Sequence, residues 1–478
     1  MALKMYLRIN RLACFILPLI LYSGLFAQND LSGKWSGNIK MINLNLHFTL
    51  GIQKSGSVYR GRLSIPQQGI KDYVLPVFTY KKPKVHFEIT SAAGTAQFDG
   101  QFAKDSIKGS LVQAGIKGSF ALGRTADDGT DDRLSVQKEE PLPYSEEDVA
   151  FKSGRILLAG TLTSPKGDGK FPAVVLLTGI GPQNRDEEIY GFKIFEKIAD
   201  YLTRLGVIVL RYDDRGVGGS SGNTMTSTTE DFASDALAAV DFLKKQKNVD
   251  PKKIGLLGHS EGGIIAPLAA SQSSDISFII LMSGFGVTGA ELLIEQQRVI
   301  LQSNAVPDSI IEQNMTLQKK INETLRAEKD LYDISDEIRS FAEKDFENLS
   351  PEVRKVILDK KSYIDSSVKS QIMMFNNPWF RFFVKYDPLP ALKKVSVPVL
   401  MTFGELDQQA PASQNKHLME EALKSGGNIN FKSVLFPKAN HLYQEAKTGN
   451  PSEYPELNKS FVNGFLETIG DWIIKLWK

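Results

Sequence analysis

Three polar residues far apart in this chain, Ser260, Asp407 and His441, have the types and surroundings needed for nucleophilic acyl chemistry. A serine hydroxyl attacks a carbonyl only when a base takes its proton and a third group orients that base. Ser260 sits in Gly258-His259-Ser260-Glu261-Gly262. That spacing suits a sharp strand-to-helix turn, with glycines where side chains would collide. The apolar run 253–258 precedes the serine, and Gly262, Gly263 and Ala266 follow it, small enough for a helix to pack close to that strand. The same spacing recurs around Ser220 at 218–222. There, Gly216, Gly218 and Gly219 precede the serine and no helix is expected before Thr229, so the stretch reads as a loop. The alternative for Ser260 is a tight turn with a purely structural role.

Five histidines compete for the base. His47 and His86 fall in strand-like runs, and His417 lies in the helical stretch ASQNKHLMEEAL. His259 adjoins the serine, so its side chain diverges from that of Ser260 and suits packing or bracing of the turn. His441, in FPKANHLYQ just after the last predicted strand, is the candidate base. Asp407, in MTFGELDQQAP beyond the strand at 397–403, is the candidate acid, with Glu405 as its nearby rival. Serine, acid, histidine is one of the known chain orders of this constellation. The backbone N–H of Glu261, following the nucleophile at a helix start, is the natural oxyanion donor.

These residues need a parallel sheet to bring them together, and the back of the chain has the pattern for one. From residue 144 onward strands alternate with helical stretches: RILLAGTLTSP and AVVLLTG, a helix ending at Gly206, VIVLRYDDRG, and a helix opened by Thr229. KIGLLG, the helix EGGIIAPLAAS, SFIILMSG, VPVLMTFG and INFKSVLF follow, and a last helix is expected from Leu457 to Trp477. A polar helical insertion at about 285–395 interrupts the alternation, as a lid over the carboxyl end of a sheet would. Its stretch MMFNNPWFRFFVKYDP offers Met374, Phe375, Trp379 and Phe380 for an acyl pocket or for the lid's own core.

Ahead of this, residues 30–124 carry short alternating runs such as LNLHFTLGIQ, KVHFEIT and TAQFDGQF, the pattern of an antiparallel sandwich or small barrel. Trp35 in SGKWSG faintly resembles the opening of lipocalin-like barrels. Residues 125–143, polar and acidic, read as a linker.

Residues 1–27 have the form of a secretory signal: Lys4, Arg8 and Arg11, an apolar run, then Ala27 before polar residues. Leu25, three positions before the expected cut, keeps an uncleaved anchor as the alternative. The single cysteine, Cys14, lies in this leader, so the exported chain carries no disulfide and no thiolate metal ligand. Formal charge is +2; removing the three leader cations from 57 basic residues leaves 54 against 55 acidic ones. That balance implies no nucleic-acid partner and no membrane-surface partner after signal removal. Nothing in the sequence implies an oligomeric state, a metal or an organic cofactor.

The motifs GHSEGG, LLTGIGPQNRDE, RYDDRGVGGSSG, GELDQQAP and NHLYQ span the catalytic region, and with them residues 144–478 resemble an α/β-hydrolase. The particular likeness is to secreted bacterial serine esterases with a β-rich N-terminal domain. It implies an α/β-hydrolase fold with a helical lid, cleavage of small-molecule carboxylic esters, and a second oxyanion donor in the loop after the third strand. Relatives place a histidine where this chain has Thr178, and Ile180 or Gly181 is left as the donor, with Gly179 beside the substrate. The charged pairs Arg185–Asp186 and Asp213-Asp214-Arg215 are expected to brace loops beside the site. A serine peptidase or aminopeptidase with the same triad, a non-catalytic glycan- or lipid-binding protein and an acyl transferase are the alternatives. Activity is expected to fall at moderately acidic pH as His441 protonates.

Overall fold

A computed structural model describes residues 30–477 except 42–43, 57, 66–69, 92–93, 114–115, 126–141 and 356. The leader and most of the linker lie outside the described residues.

Alternation of apolar and polar residues turns one face of each front strand inward. The front strands are β1 (Gly33–Met41), β2 (Leu44–Ser55), β3 (Val58–Ile65), β4 (Ile70–Val74) and β5 (Val77–Lys81). They continue with β6 (Lys84–Ser91), β7 (Gly94–Ala103), β8 (Ser106–Gln113) and β9 (Ile116–Arg124). All belong to one antiparallel sheet, ordered β4-β3-β2-β1-β9-β8-β7-β6-β5. The sheet coils on itself. Gly61 of β3 leaves room for Phe78 of β5, whose ring would lie 2.8 Å from a Cβ there, and Leu75 N–H donates to the Gly61 carbonyl at 3.0 Å. Of the sandwich and the barrel, the curled single sheet is the form adopted. Its interior is filled by Trp35, Phe48, Phe87, Phe98 and Phe120, with Phe87 stacked on Phe98 at 4.5 Å. The indole N–H of Trp35 donates to the Leu31 carbonyl at 3.0 Å, and Arg124 lies 4.3 Å over its ring.

The back of the chain forms an eight-stranded sheet. Its members are β10 (Tyr144–Ser153), β11 (Ile156–Pro165) and β12 (Phe171–Leu177), then, after the short pairing of β13 (Glu188–Ile189) with β14 (Phe192–Lys193), β15 (Ile208–Tyr212). They continue with β16 (Val249–His259), β17 (Phe278–Met282), β18 (Val399–Gly404) and β19 (Phe431–Phe436). The order is β10-β11-β15-β12-β16-β17-β18-β19, antiparallel through β11–β15 and parallel from β15 onward. This crossing of β12 and β15, with helices on both faces, is the α/β-hydrolase fold. β15, β17 and β18 are buried along their whole length, as strands covered on both faces must be.

Helix α1 (Ile194–Arg204) buries Phe195, Ile198 and Leu202, spaced three and four apart, against one face of the sheet. The final helix, α12 (Phe465–Lys475), covers the same face. Helices α2 (Thr229–Lys244), α3 (Gly262–Ala270) and α11 (Ala412–Ser425) cover the other. Between β17 and β18 run α4 (Gly289–Ser303), α5 (Asp308–Arg326), α6 (Ser335–Asn348), α7 (Pro351–Lys355), α8 (Lys360–Phe375), α9 (Pro378–Phe383) and α10 (Leu389–Leu392). This insertion has an apolar core of its own, around Leu325, Ile338, Ile364, Val368 and Phe380. Among the described residues no helix is long and apolar enough to cross a membrane.

Thr229 opens α2 as expected, and Thr228 before it is the cap, because its hydroxyl accepts from Asp231 N–H while Asp231 reaches back to the Thr228 backbone. One local expectation is corrected. The last helix starts at Phe465, after the left-handed Gly464 (φ +79°), because residues 457–464 form a non-helical stretch tied down by the Val462 N–H, which donates to the Tyr443 carbonyl at 2.8 Å. One strand was not anticipated: Tyr144–Ser153, just past the expected linker, is a full strand bonded to β11 despite its acidic Glu146, Glu147 and Asp148.

Candidate active site

β16 delivers Ser260 at the carboxyl edge of the sheet. Its φ of +53° lies in the left-handed region, which non-glycine residues rarely adopt and which marks a turn held in place by its surroundings. Ser260 N–H donates to the Met282 carbonyl of β17 at 2.8 Å. The flanking glycines are required by close backbone approach. A Cβ on Gly258 would lie 1.9 Å from the Gly262 carbonyl oxygen, and one on Gly262 would lie 2.2 Å from the Leu177 carbonyl oxygen of β12. Gly262→Ala is therefore expected to push α3 off β12, lowering thermal stability and reducing serine-directed fluorophosphonate labelling at least tenfold; wild-type melting and labelling would show that the contact is relaxed without loss.

The loops after β18 and β19 meet beside this turn. His441 Nδ1 lies 3.0 and 2.9 Å from the two Asp407 carboxylate oxygens, and both side chains are buried. The Gln409 and Ala410 N–H groups each donate to Asp407 Oδ1 at 2.9 Å. Burial pushes the Asp407 carboxyl up, but His441, the Ala410 N–H and the Ser283 side chain more than offset it and hold the group below its usual range. Glu405 is turned elsewhere, accepting from Lys438 N–H at 2.8 Å. Asp407 and His441 are thus in direct contact. The Ser260 hydroxyl makes no hydrogen bond to the imidazole among the described residues; its tie to the base runs through its neighbour His259, whose Nε2 donates to the His441 carbonyl at 2.9 Å, with the two rings 4.8 Å apart.

On the other side, Gly179 faces the serine: a Cβ there would lie 3.2 Å from Ser260 Cβ. Its N–H donates to Glu187 Oε1 at 2.7 Å and is therefore already committed. Ile180 is partly exposed, and Gly181, at φ +98°, borders open space. Glu261 opens α3, and among the described residues its N–H and that of Ile180 donate to no backbone carbonyl. The Glu261 carboxylate is buried and accepts from Thr229 Oγ1 at 2.7 Å and Trp379 Nε1 at 2.8 Å. Burial pushes it up to about 7 against those two donors, so near neutrality it carries only part of a charge beside the helix start.

The adjacent charged loops brace one another. Arg185 holds Asp213 through both carboxylate oxygens and reaches Asp148, while Arg215 holds Asp235 and Asp231. Arg211 reaches Asp186. Thr178 Oγ1 donates to Asp214 at 2.7 Å, and burial drives that carboxyl well up. The Ser220 hydroxyl bonds the Asp213 carbonyl and the Ala159 N–H, as part of the loop's structure.

Of the lid aromatics, Trp379 reaches the turn through Glu261 and stacks on Phe383 at 4.9 Å, in an apolar group with Ile264, Phe285 and Ala410. Phe380 is buried in the lid core, with Phe375 against it at 4.7 Å, and Met374 is exposed. Among the described residues no group of three His, Cys, Asp or Glu side chains is arranged to hold a metal. Sequence reasoning missed Glu187. The only signal for it was the acidic run in QNRDEE, in which nothing separates one carboxylate from its neighbours.

A family model described as serine aminopeptidase, S33, matches residues 191–339, a stretch that contains Ser260 and ends before Asp407 and His441. Esterase EstD of Thermotoga maritima is 28% identical over 338 residues, covering 70% of this chain and 69% of its own. Among solved structures, a Pyrococcus furiosus esterase is 17% identical with a TM-score of 0.43, covering 72% of this chain and 96% of its own. Est1E of Butyrivibrio proteoclasticus with ferulic acid bound is 19% identical with a TM-score of 0.39, covering 69% and 97%.

Proposed function

We propose that this chain, which has the α/β-hydrolase fold, is an exported serine esterase that cleaves small carboxylic esters through an acyl-enzyme on Ser260. In this reading the Ser260 hydroxyl attacks the ester carbonyl as His441 Nε2 takes its proton. Asp407 stabilises the imidazolium through Nδ1, and the proton then passes to the leaving alcohol. The N–H groups of Glu261 and of Ile180 or Gly181 receive the oxyanion, and Trp379 is the lid residue set against the acyl group. Water activated by His441 releases the acid. The observation that carries the proposal is the buried His441–Asp407 contact beside a strained serine turn; the likeness to EstD supports the ester side.

The purified chain is expected to hydrolyse p-nitrophenyl acetate or butyrate and to react with a fluorophosphonate probe. Absence of both reactions would defeat the reading. Amide cleavage is the second reading, favoured by the serine aminopeptidase match over residues 191–339. A clear preference for aminoacyl-anilides over esters would establish it instead.

A further inference from the structure

A second acid–histidine pair lies behind the first. His259 is buried between two acceptors: Glu187 Oε1 at 2.9 Å from Nδ1, and the His441 carbonyl oxygen at 2.9 Å from Nε2. A carbonyl oxygen cannot donate, so Nε2 carries a proton. Glu187 Oε1 already accepts from Gly179 N–H at 2.7 Å, and Glu187 Oε2 is buried without a hydrogen-bond partner among the described residues. An ionised carboxylate in that position needs a compensating charge, which a proton on Nδ1 as well would supply. Glu187 is held at φ +45°, a backbone state that its surroundings must enforce.

We propose that Glu187 and doubly protonated His259 form a buried positioning pair that clamps the loop carrying His441 and the loop carrying Gly179 onto the Ser260 turn. The pair contacts no reacting atom and acts through the others. One imidazolium, adjacent in sequence to the nucleophile, ties together three segments brought by β12, β16 and the loop after β19. Among the described residues, Glu187 and Asp407 are the charged side chains that act most strongly on His259, with the His441 ring 4.8 Å away. Burial opposes a charge on His259, but Glu187 and the His441 carbonyl outweigh it and raise the group above the usual histidine range. The inference rests on the reading of Ser260 and His441 as nucleophile and base.

The test uses the full chain with nitrogen-15-labelled histidine. One ring, identified by its loss in His259→Gln, is expected to show N–H signals on both nitrogens and no titration from about pH 6 to 8. A His259 ring with a single N–H at neutral pH overturns the proposal. Glu187→Gln keeps an acceptor for Gly179 and removes the charge. It is expected to lower kcat for p-nitrophenyl esters about 10- to 100-fold, as displacement of a positioned group does, with KM close to wild type and a lower melting temperature, because a buried charge pair is broken. Unchanged kcat in both Glu187→Gln and His259→Gln, with an active parent, refutes the positioning role. An inert parent defeats the esterase reading instead, and the ring signals of His259, with the shift of the His441 Nδ1–H signal in Glu187→Gln, still decide whether the pair exists and holds the base.

Discussion

Ser260→Ala is expected to lower kcat for ester hydrolysis by about 10⁶-fold and to abolish fluorophosphonate labelling, because no other hydroxyl is offered at this turn. Ser220, in the duplicate motif, cannot substitute: its hydroxyl is committed to the Asp213 carbonyl and the Ala159 N–H. The left-handed φ of +53° adds a second readout. Alanine keeps that backbone strain, whereas glycine relieves it, so Ser260→Gly should be equally inactive yet melt higher than Ser260→Ala. Residual labelling of Ser260→Ala, or equal melting of the two variants, would show that the strained serine is not the nucleophile or that the turn is not strained.

Asp407→Asn should reduce kcat/KM by about 10⁴-fold. An amide N–H facing His441 Nδ1 stabilises the tautomer that leaves no acceptor for the serine proton, so the base is lost without loss of shape. Glu405→Gln, at a residue bonded to the Lys438 backbone, is the control and should stay within a few-fold of wild type. Stability gives an independent check. The folded Asp407 carboxyl titrates below its ordinary value of 3.8. Its contribution is therefore fully present above 3.8 and is lost as pH falls through the lower folded value. Asp407→Asn should flatten the pH dependence of stability in that acid range and leave it unchanged near neutrality. An unaltered acid limb would mean that the carboxylate is not held by His441 and its backbone donors.

Legibility differed with the range of the interaction. The parallel sheet was readable because strands covered on both faces must be apolar throughout, as in IVLRY, FIILM and VLMTFG. β10 was not, because a solvated edge strand carrying Glu146, Glu147 and Asp148 has the composition of a linker, and only its pairing with β11 declares it. The β4 and β5 strands of the front sheet are five residues each, too short for alternation to stand out. Of the lid aromatics, Trp379 differs from Phe380 in having a polar N–H as well as an apolar ring, and that N–H finds Glu261 while Phe380 packs inward.

By itself, the sequence determined the residue chemistry: a serine between glycines at a strand end, a histidine and an aspartate beyond later strands, and an alternation that admits a parallel sheet. Local sterics and hydrophobic periodicity act over a few residues and are written into the chain. Tertiary structure alone decided which carboxylate faces His441, that the N–H of Gly179 is taken by Glu187, and that His259 joins the His441 loop to the serine turn. Those choices depend on burial and on hydrogen bonds between residues as many as 182 positions apart. A charged or polar group has no preferred partner until the fold removes water and leaves it one.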